Sequence, residues 1–211
     1  MADLTFVMID LAGFTALAET HGDEEAANVA VALAAVAESC MDTSDRLVKT
    51  MGDAVLLTAA DPLAGIGLVQ RILASCRERE QFLVTRTGMH HGPAVERGGD
   101  YFGQAVNLTA RLAAHAAPGQ VLGTDRIAEA ARAAGISVEA LGELKFKNVA
   151  EATPVHALLL GPAPSLMTVD PVCRMLVDVH TAAGFLRHDG QEHWFCSVAC
   201  LIRYAEVLPS S

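Results

Sequence analysis

Positive charge is scarce in this chain. Its 211 residues carry 15 Lys and Arg against 25 Asp and Glu, a formal net charge of −10 at pH 7. That balance opposes nucleic-acid binding through a general basic surface. Any polyanionic ligand must then be held by local cations, a metal or helix N-termini. Long apolar runs are lacking too. The longest, Val29 to Ala37, is far too short to span a bilayer and is bracketed by Glu24, Glu25 and Glu38. The opening Met1-Ala-Asp-Leu-Thr5 has neither the basic nor the apolar region of a signal peptide. These absences predict a cytoplasmic protein with no membrane or nucleic-acid partner. Cysteine is sparse and unevenly placed. Cys40 and Cys76 fall in helical stretches, as apolar fillers. Cys173, Cys196 and Cys200 crowd the C-terminal end. In a cytosolic chain such crowding suggests a metal site more than a disulfide framework.

What is present argues for a folded protein. Hydrophobic residues make up 52% of the chain and the mean hydropathy is +0.33, outside the range of disordered sequences. The length suits one good core and a small appendage.

Arg46 to Thr50 and Ala54 to Thr58 read as two strands around a turn at Gly52. Lys49 stands before the turn and Asp53 just after it. Taken alone, this is a surface hairpin with two solvated charges. Leu4 to Ile9 (LTFVMI) is a continuous apolar run, as a central strand should be. It ends at Asp10, and Gly13-Phe14-Thr15 then turns into a helix. A carboxylate at a strand end can hold a hard cation, and a helix start offers N–H groups to phosphate. The simpler role for Asp10 is a helix N-cap.

Downstream, helices are expected over Asp23 to Met41, from Asp61-Pro62 to about Cys76, from about Gly103 to Ala116, and over Thr124 to Ala134. Phe82 to His91 reads as a strand, Gly92-Pro93 as a turn, and the residues to Glu96 as a second, short strand. Gln120 to Gly123, Val138 to Phe146 and Pro154 to Leu160 supply further strand material. Asn107 and Arg111, at i and i+4, share a helix face. The fold class is therefore α+β: a mixed, mostly antiparallel sheet with packed helices. Gly161-Pro-Ala-Pro164 breaks the pattern, so residues 161–166 read as a linker. His90 and His91 alternate faces at a strand end. His21, His115 and His156 show no partner pattern.

In order and spacing, FVMIDLAGFT, RLVKTMGDAVLL, RTGMHHGPAVERGGDYFGQAVNLTARL, APGQVL and GELKFKNVAEATPVHAL resemble a class III nucleotidyl cyclase catalytic domain, with its ferredoxin-like sandwich, over residues 1–160. The resemblance implies that Asp10 and Asp53 hold two Mg²⁺ or Mn²⁺ ions. It implies that Lys49 and Asp100 select adenine, and that Asn107 and Arg111 orient the ribose and stabilise the transition state. Phe14 and Thr15 would lie at the phosphates. Lys147 would contact the triphosphate, although Asn148 stands where the family has glycine. The implied activity is adenylate cyclase: ATP to 3′,5′-cyclic AMP and pyrophosphate, at two sites shared across a homodimer. A catalytically silent cyclase-fold dimer, acting as a metal- or redox-responsive module, is the reading from another class. A cyclase acting on another nucleotide is a third; Lys49 and Asp100 oppose GTP.

The end of the chain has a pattern of its own. Asp170-Pro-Val-Cys173-Arg-Met175, then His193-Trp194-Phe195-Cys196-Ser197-Val-Ala-Cys200, resembles a YHS domain over residues 167–211, with His-Trp where Tyr-Tyr is usual. A unit this small buries little core, so a metal staple is physically attractive. Cys173, Cys196 and Cys200 would bind as thiolates, with His193 or His180 as a fourth ligand. Zinc is the first expectation and copper the second, since Met175 adds another soft donor. A small apolar core with reduced cysteines is the alternative.

Overall fold

The computed structural model describes residues 2–79, 81–147, 149, 151–160 and 167–208. The expected linker at 161–166 and Asn148 lie outside the described residues.

The chain opens with β1 (Ala2–Leu11), α1 (Phe14–His21) and α2 (Asp23–Ser39). The hairpin β2 (Arg46–Met51) and β3 (Ala54–Ala59) follows, then α3 (Pro62–Arg77). Next come β4 (Thr85–Arg97), β5 (Asp100–Phe102), α4 (Gln104–His115), β6 (Val121–Gly123), α5 (Asp125–Ala133), β7 (Val138–Leu144) and β8 (Thr153–Leu158). The main sheet runs β2-β3-β1-β4-β6-β8-β7, with β5 hanging on β4. Only β4 and β6 pair in parallel among the described ladders.

Strand alternation divides the core into two layers. Val7, Ile9, Val55 and Leu57 meet residues of α2, α3 and α5 on one face. Phe6, Met8 and Leu56 meet Tyr101, Ala105 and Ala113 on the other, which α4 covers. A strand buried on both faces has to be apolar at successive positions, and LTFVMI is the result. Asp61 caps α3 by accepting from the Ala64 N–H at 3.0 Å, and Pro62 sits in the first turn. Among the described residues no helix is long and apolar enough to cross a membrane.

Two expectations about β4 fail together. Gly92-Pro93 makes no turn, and the strand runs straight through to Arg97. Gly92 is there for space: a Cβ on it would come 2.9 Å from the His90 Nε2. Pro93 faces Asp3 at the outer end of β1, where a missing N–H costs little. At the other end, Phe82 to Val84 do not join the sheet. The Phe82 carbonyl accepts from the Leu176 N–H at 2.7 Å, and Leu83 bridges to Met175. Phe82 and Leu83 are thus occupied by the C-terminal segment, while the Val84 carbonyl accepts from the Ala12 N–H at 2.8 Å.

That segment comprises β9 (Met167–Val169), β10 (Leu176–Asp178), β11 (Gly184–His188), β12 (Gln191–Phe195) and α6 (Val198–Val207). β9 pairs with β10 and β11 with β12. Its described residues share a buried core with the rest of the chain. Cys173, Met175, Phe195 and Cys200 belong to the same buried cluster as Leu17, Leu83 and the α2–α3 residues. Met175 is therefore a core side chain, 2% exposed.

Candidate active site

The site starts where β1 ends. Asp10 is the penultimate residue of β1, opposite Ala54 of β3 and Arg86 of β4. Asp53 lies in the β2–β3 turn, which Gly52 closes at a φ of 64° that side chains disfavour. The Leu11 N–H donates to the Asp53 carbonyl at 3.1 Å, tying the strand end to the turn. Two carboxylates are thus held side by side. Burial pushes the Asp10 carboxyl above its ordinary range and the Asp53 charge adds to this, while Arg86 opposes both. The Arg86 Nε donates to the Asp10 Oδ2 in a short ion pair. Asp10 is not a helix cap. Gly13 takes the N-cap position of α1 at φ 94°, with no side-chain cap bond. The first-turn N–H groups of Phe14 and Thr15 have no intrahelical acceptor and suit an anion. The Phe14 side chain packs on the core, and Thr15 is exposed.

A second pair forms beyond the hairpin. The Lys49 Nζ donates to the Asp100 Oδ2 at 2.6 Å, with side-chain exposures of 35% and 31%. The opposite Asp100 Oδ1 accepts from the Tyr101 N–H at 2.8 Å. Lys49, and then the Tyr101 N–H, pull the Asp100 carboxyl below its ordinary range. Asn107 and Arg111 point outward from α4, one turn apart. Asn107 lines a cavity of about 490 Å³ with His90, Gln104, Leu108 and Thr153. Lys147 is exposed in the turn after β7. No described hydrogen bond or ion pair joins Asn107 or Arg111 to Asp10 or Asp53.

At the far end of α1 a third group assembles. The Cys173 and Cys196 Sγ atoms lie 3.4 Å apart, and Cys196 and Cys200 3.6 Å apart. The His21 Nε2 stands 3.6 Å from Cys196 and 3.5 Å from Cys200. All four donor atoms fall within 4.8 Å of one another. Neither expected histidine takes part. Alternation along β12 puts His193 on the side of Phe195, where its ring lies 5.0 Å from that of Tyr204 on α6. His180 is exposed in the turn after β10. The Cys173 sulfur, then burial, pushes the Cys196 thiol up, and burial pushes Cys200 up to about 12.

A sequence profile of the adenylate and guanylate cyclase catalytic domain matches residues 1–159. The chain belongs to that class III cyclase family. A pH-sensitive adenylate cyclase of Mycobacterium tuberculosis is 36% identical over 127 residues, covering 60% of this chain and 32% of that protein. An adenylate cyclase of Glutamicibacter nicotianae is 36% identical over 119 residues, 56% of this chain and 29% of that one. The chain thus spans about a third of the length of the curated relatives it matches. Among solved structures, an adenylate cyclase from Trypanosoma brucei superposes with a TM-score of 0.69 at 21% identity, over 77% of this chain and 90% of that one. The adenylyl cyclase CyaB of P. aeruginosa gives 0.60 at 17% identity, over 76% and 95%. At these identities the structures speak for the fold.

Two features of these sites escaped sequence reasoning. One is His21, about 150 positions from the nearest cysteine of its cluster, with no local pattern to mark it. The other is Arg86, whose signal was legible: it is a lone charge in the apolar run FLVTRTGM. The cavity-lining His90 donates to or accepts from the Thr124 Oγ1 at 2.9 Å. Burial, then His91 and Arg126, lowers its pKa from 6.5 to about 4, with Asp3 opposing. A depressed pKa means that the unfolded cyclase takes up this proton first. The stability His90 contributes is then full above pH 6.5 and lost as pH falls towards 4, by up to about 1.4 kcal/mol per pH unit. Between pH 6.5 and 5 the parent should lose about 1–2 kcal/mol more than His90→Gln, as read from urea midpoints.

Proposed function

We propose that this protein is an adenylate cyclase that converts ATP to 3′,5′-cyclic AMP and pyrophosphate. The observation that carries the reading is the Lys49–Asp100 pair, 2.6 Å apart, beyond a hairpin whose turn places Asp53 beside Asp10. Lys49 can donate to the adenine N1, and Asp100 can accept from the exocyclic amine. Guanine presents the reverse pattern at both atoms, so the pair disfavours GTP.

Asp10 and Asp53 would hold two Mg²⁺ or Mn²⁺ ions. The donor set fits hard cations, since Asp10 and Asp53 are two carboxylates whose negative charges act on one another. When bound, the ions lower the charge on the phosphates and favour the ionised 3′-oxygen. The 3′-oxygen forms a bond to the α-phosphorus, the bond from that phosphorus to the bridging oxygen breaks, pyrophosphate leaves, and the 3′-hydroxyl proton passes to water. Asn107 orients the ribose. Arg111 neutralises charge that builds on the phosphate oxygens, and the start of α1 at Phe14 and Thr15, with Lys147, holds the triphosphate. Asn107 and Arg111 face outward, which supports a two-fold homodimer: one subunit provides Asp10 and Asp53, its partner Lys49, Asp100, Asn107 and Arg111. Residues 167–211 form a YHS-type module that binds a thiophilic metal through Cys173, Cys196 and Cys200 and reports on it to the enzyme.

One observation favours a second reading. Arg86 occupies Asp10 in an internal ion pair, as it would in a silent cyclase-fold dimer kept as a regulatory scaffold. Purified protein given Mn²⁺ with ATP or GTP separates the two. Cyclic AMP from ATP, with little cyclic GMP, supports the enzyme. No product from a protein shown to be dimeric overturns it. Lys49→Ala should lower kcat/KM for ATP by about 10–100-fold and narrow the preference over GTP, because it removes a hydrogen-bond donor built for one base.

A further inference from the structure

We propose that His21 of the catalytic unit is the fourth ligand of the C-terminal metal site, so that a bound zinc ion staples the tail to helix α1. The inference rests on the reading of the three cysteines as metal ligands and is independent of cyclase activity.

Four of the six donor–donor separations are close to those of a tetrahedral zinc site, and all six are within 4.8 Å. Zinc–sulfur bonds of about 2.3 Å and zinc–nitrogen bonds of about 2.0–2.1 Å imply ligand separations of about 3.8 Å between sulfurs and about 3.6 Å between sulfur and nitrogen. The sulfurs stand 3.4 and 3.6 Å apart, and the His21 Nε2 lies 3.6 and 3.5 Å from two of them. A disulfide would require about 2.05 Å, and all five cysteines are free. Three sulfurs and one imidazole leave no open position, which marks a structural site and favours zinc over copper.

The surroundings fix these donors. Asp170, fully buried, accepts from the Val172 and Cys173 N–H groups with one carboxylate oxygen and from Cys196 with the other. One acid therefore orients both cysteine-bearing turns, as outer-shell carboxylates do. Ser197 caps α6 by accepting from the Cys200 N–H at 3.2 Å, which sets the third sulfur.

His21 is the last residue of α1, and the tail grips that helix at both ends. Near His21, Arg203 of α6 donates to the Glu19 carbonyl and the Thr20 hydroxyl. At the start of α1, Arg174 packs on Gly13 so closely that a Cβ there would lie 2.5 Å from the arginine Cβ. Arg174 itself holds a left-handed φ of 68°, a conformation uncommon for residues other than glycine. The zinc ion would thus hold in place the helix whose first turn presents the free N–H groups of Phe14 and Thr15.

The test uses the full chain. Elemental analysis after dialysis should give one zinc per chain. Replacement by Co²⁺ should give the intense visible bands of a tetrahedral thiolate site. His21→Ala should weaken zinc binding at least about 10–100-fold, the size seen when merely the outer-shell support of a ligand is lost, and change the cobalt bands. His193→Ala should leave both unchanged. His21→Cys, which keeps a ligand, should retain tight binding and shift the bands towards four sulfurs, so the inference stays testable if the alanine variant folds poorly. Unchanged affinity and spectrum in His21→Ala would overturn the staple and leave three-cysteine binding standing. No zinc in the parent chain, with its thiols free or oxidised, would overturn both.

Discussion

Replacing Asp53 with alanine is expected to cut cyclic AMP formation by at least about 10³-fold. A metal that neutralises transition-state charge is worth several kcal/mol, and about 4 kcal/mol corresponds to that factor. The fold should survive. No described side-chain hydrogen bond or ion pair involves Asp53, and its carbonyl, which accepts from the Leu11 N–H, remains in alanine. Product formation by liquid chromatography, with light scattering to count subunits, makes the comparison. A variant that still makes cyclic AMP at the parent rate would remove Asp53 from the metal site. A variant that loses the dimer as well would show that the turn holds the assembly.

Mixing two dead proteins should restore activity. Asp53→Ala lacks a metal carboxylate, and Arg111→Ala lacks the outward-facing arginine of α4. In a two-fold dimer with shared sites, a heterodimer combines both lesions in one site and leaves the other intact. At equal amounts and random pairing, half of the dimers are mixed and each has one working site. The mixture should therefore reach about a quarter of the parent rate from two near-zero components. Co-expression with two different affinity tags supplies the mixture. Continued silence, with heterodimers present, would mean that each site is built within one chain.

The parts of the site that could be read in advance are those whose chemistry is local. Asp10 ends a run that must be apolar because both its faces are covered, and Asp53 shares with Gly52 a turn that demands glycine. Lys49 and Asp100 were legible only as separate motifs in the right order; the β2–β3 hairpin and β5 bring them together. Where the reading failed, the deciding partner was distant. Gly92-Pro93 has the punctuation of a turn, yet the glycine answers to the His90 ring and the proline to a strand end. Phe82 and Leu83 have strand composition and are used by the tail instead. His21 carries no mark of its own, because its partners lie in a segment that folds against it from the other end of the chain. His193, three residues before a cysteine, is carried by the alternation of β12 to Tyr204 instead.

The shared core sets an order of events at the ribosome. Phe82 and Leu83 are 3% and 0% exposed in the finished protein, and the C-terminal segment supplies part of their cover. Strand β8 ends at Leu158, but α6 is not complete until Val207. At about 5–20 residues per second, the catalytic unit waits about 2.5 to 10 seconds with that apolar face uncovered. Nascent chains stalled between these two points should therefore be the ones that chaperones hold and that aggregate on release.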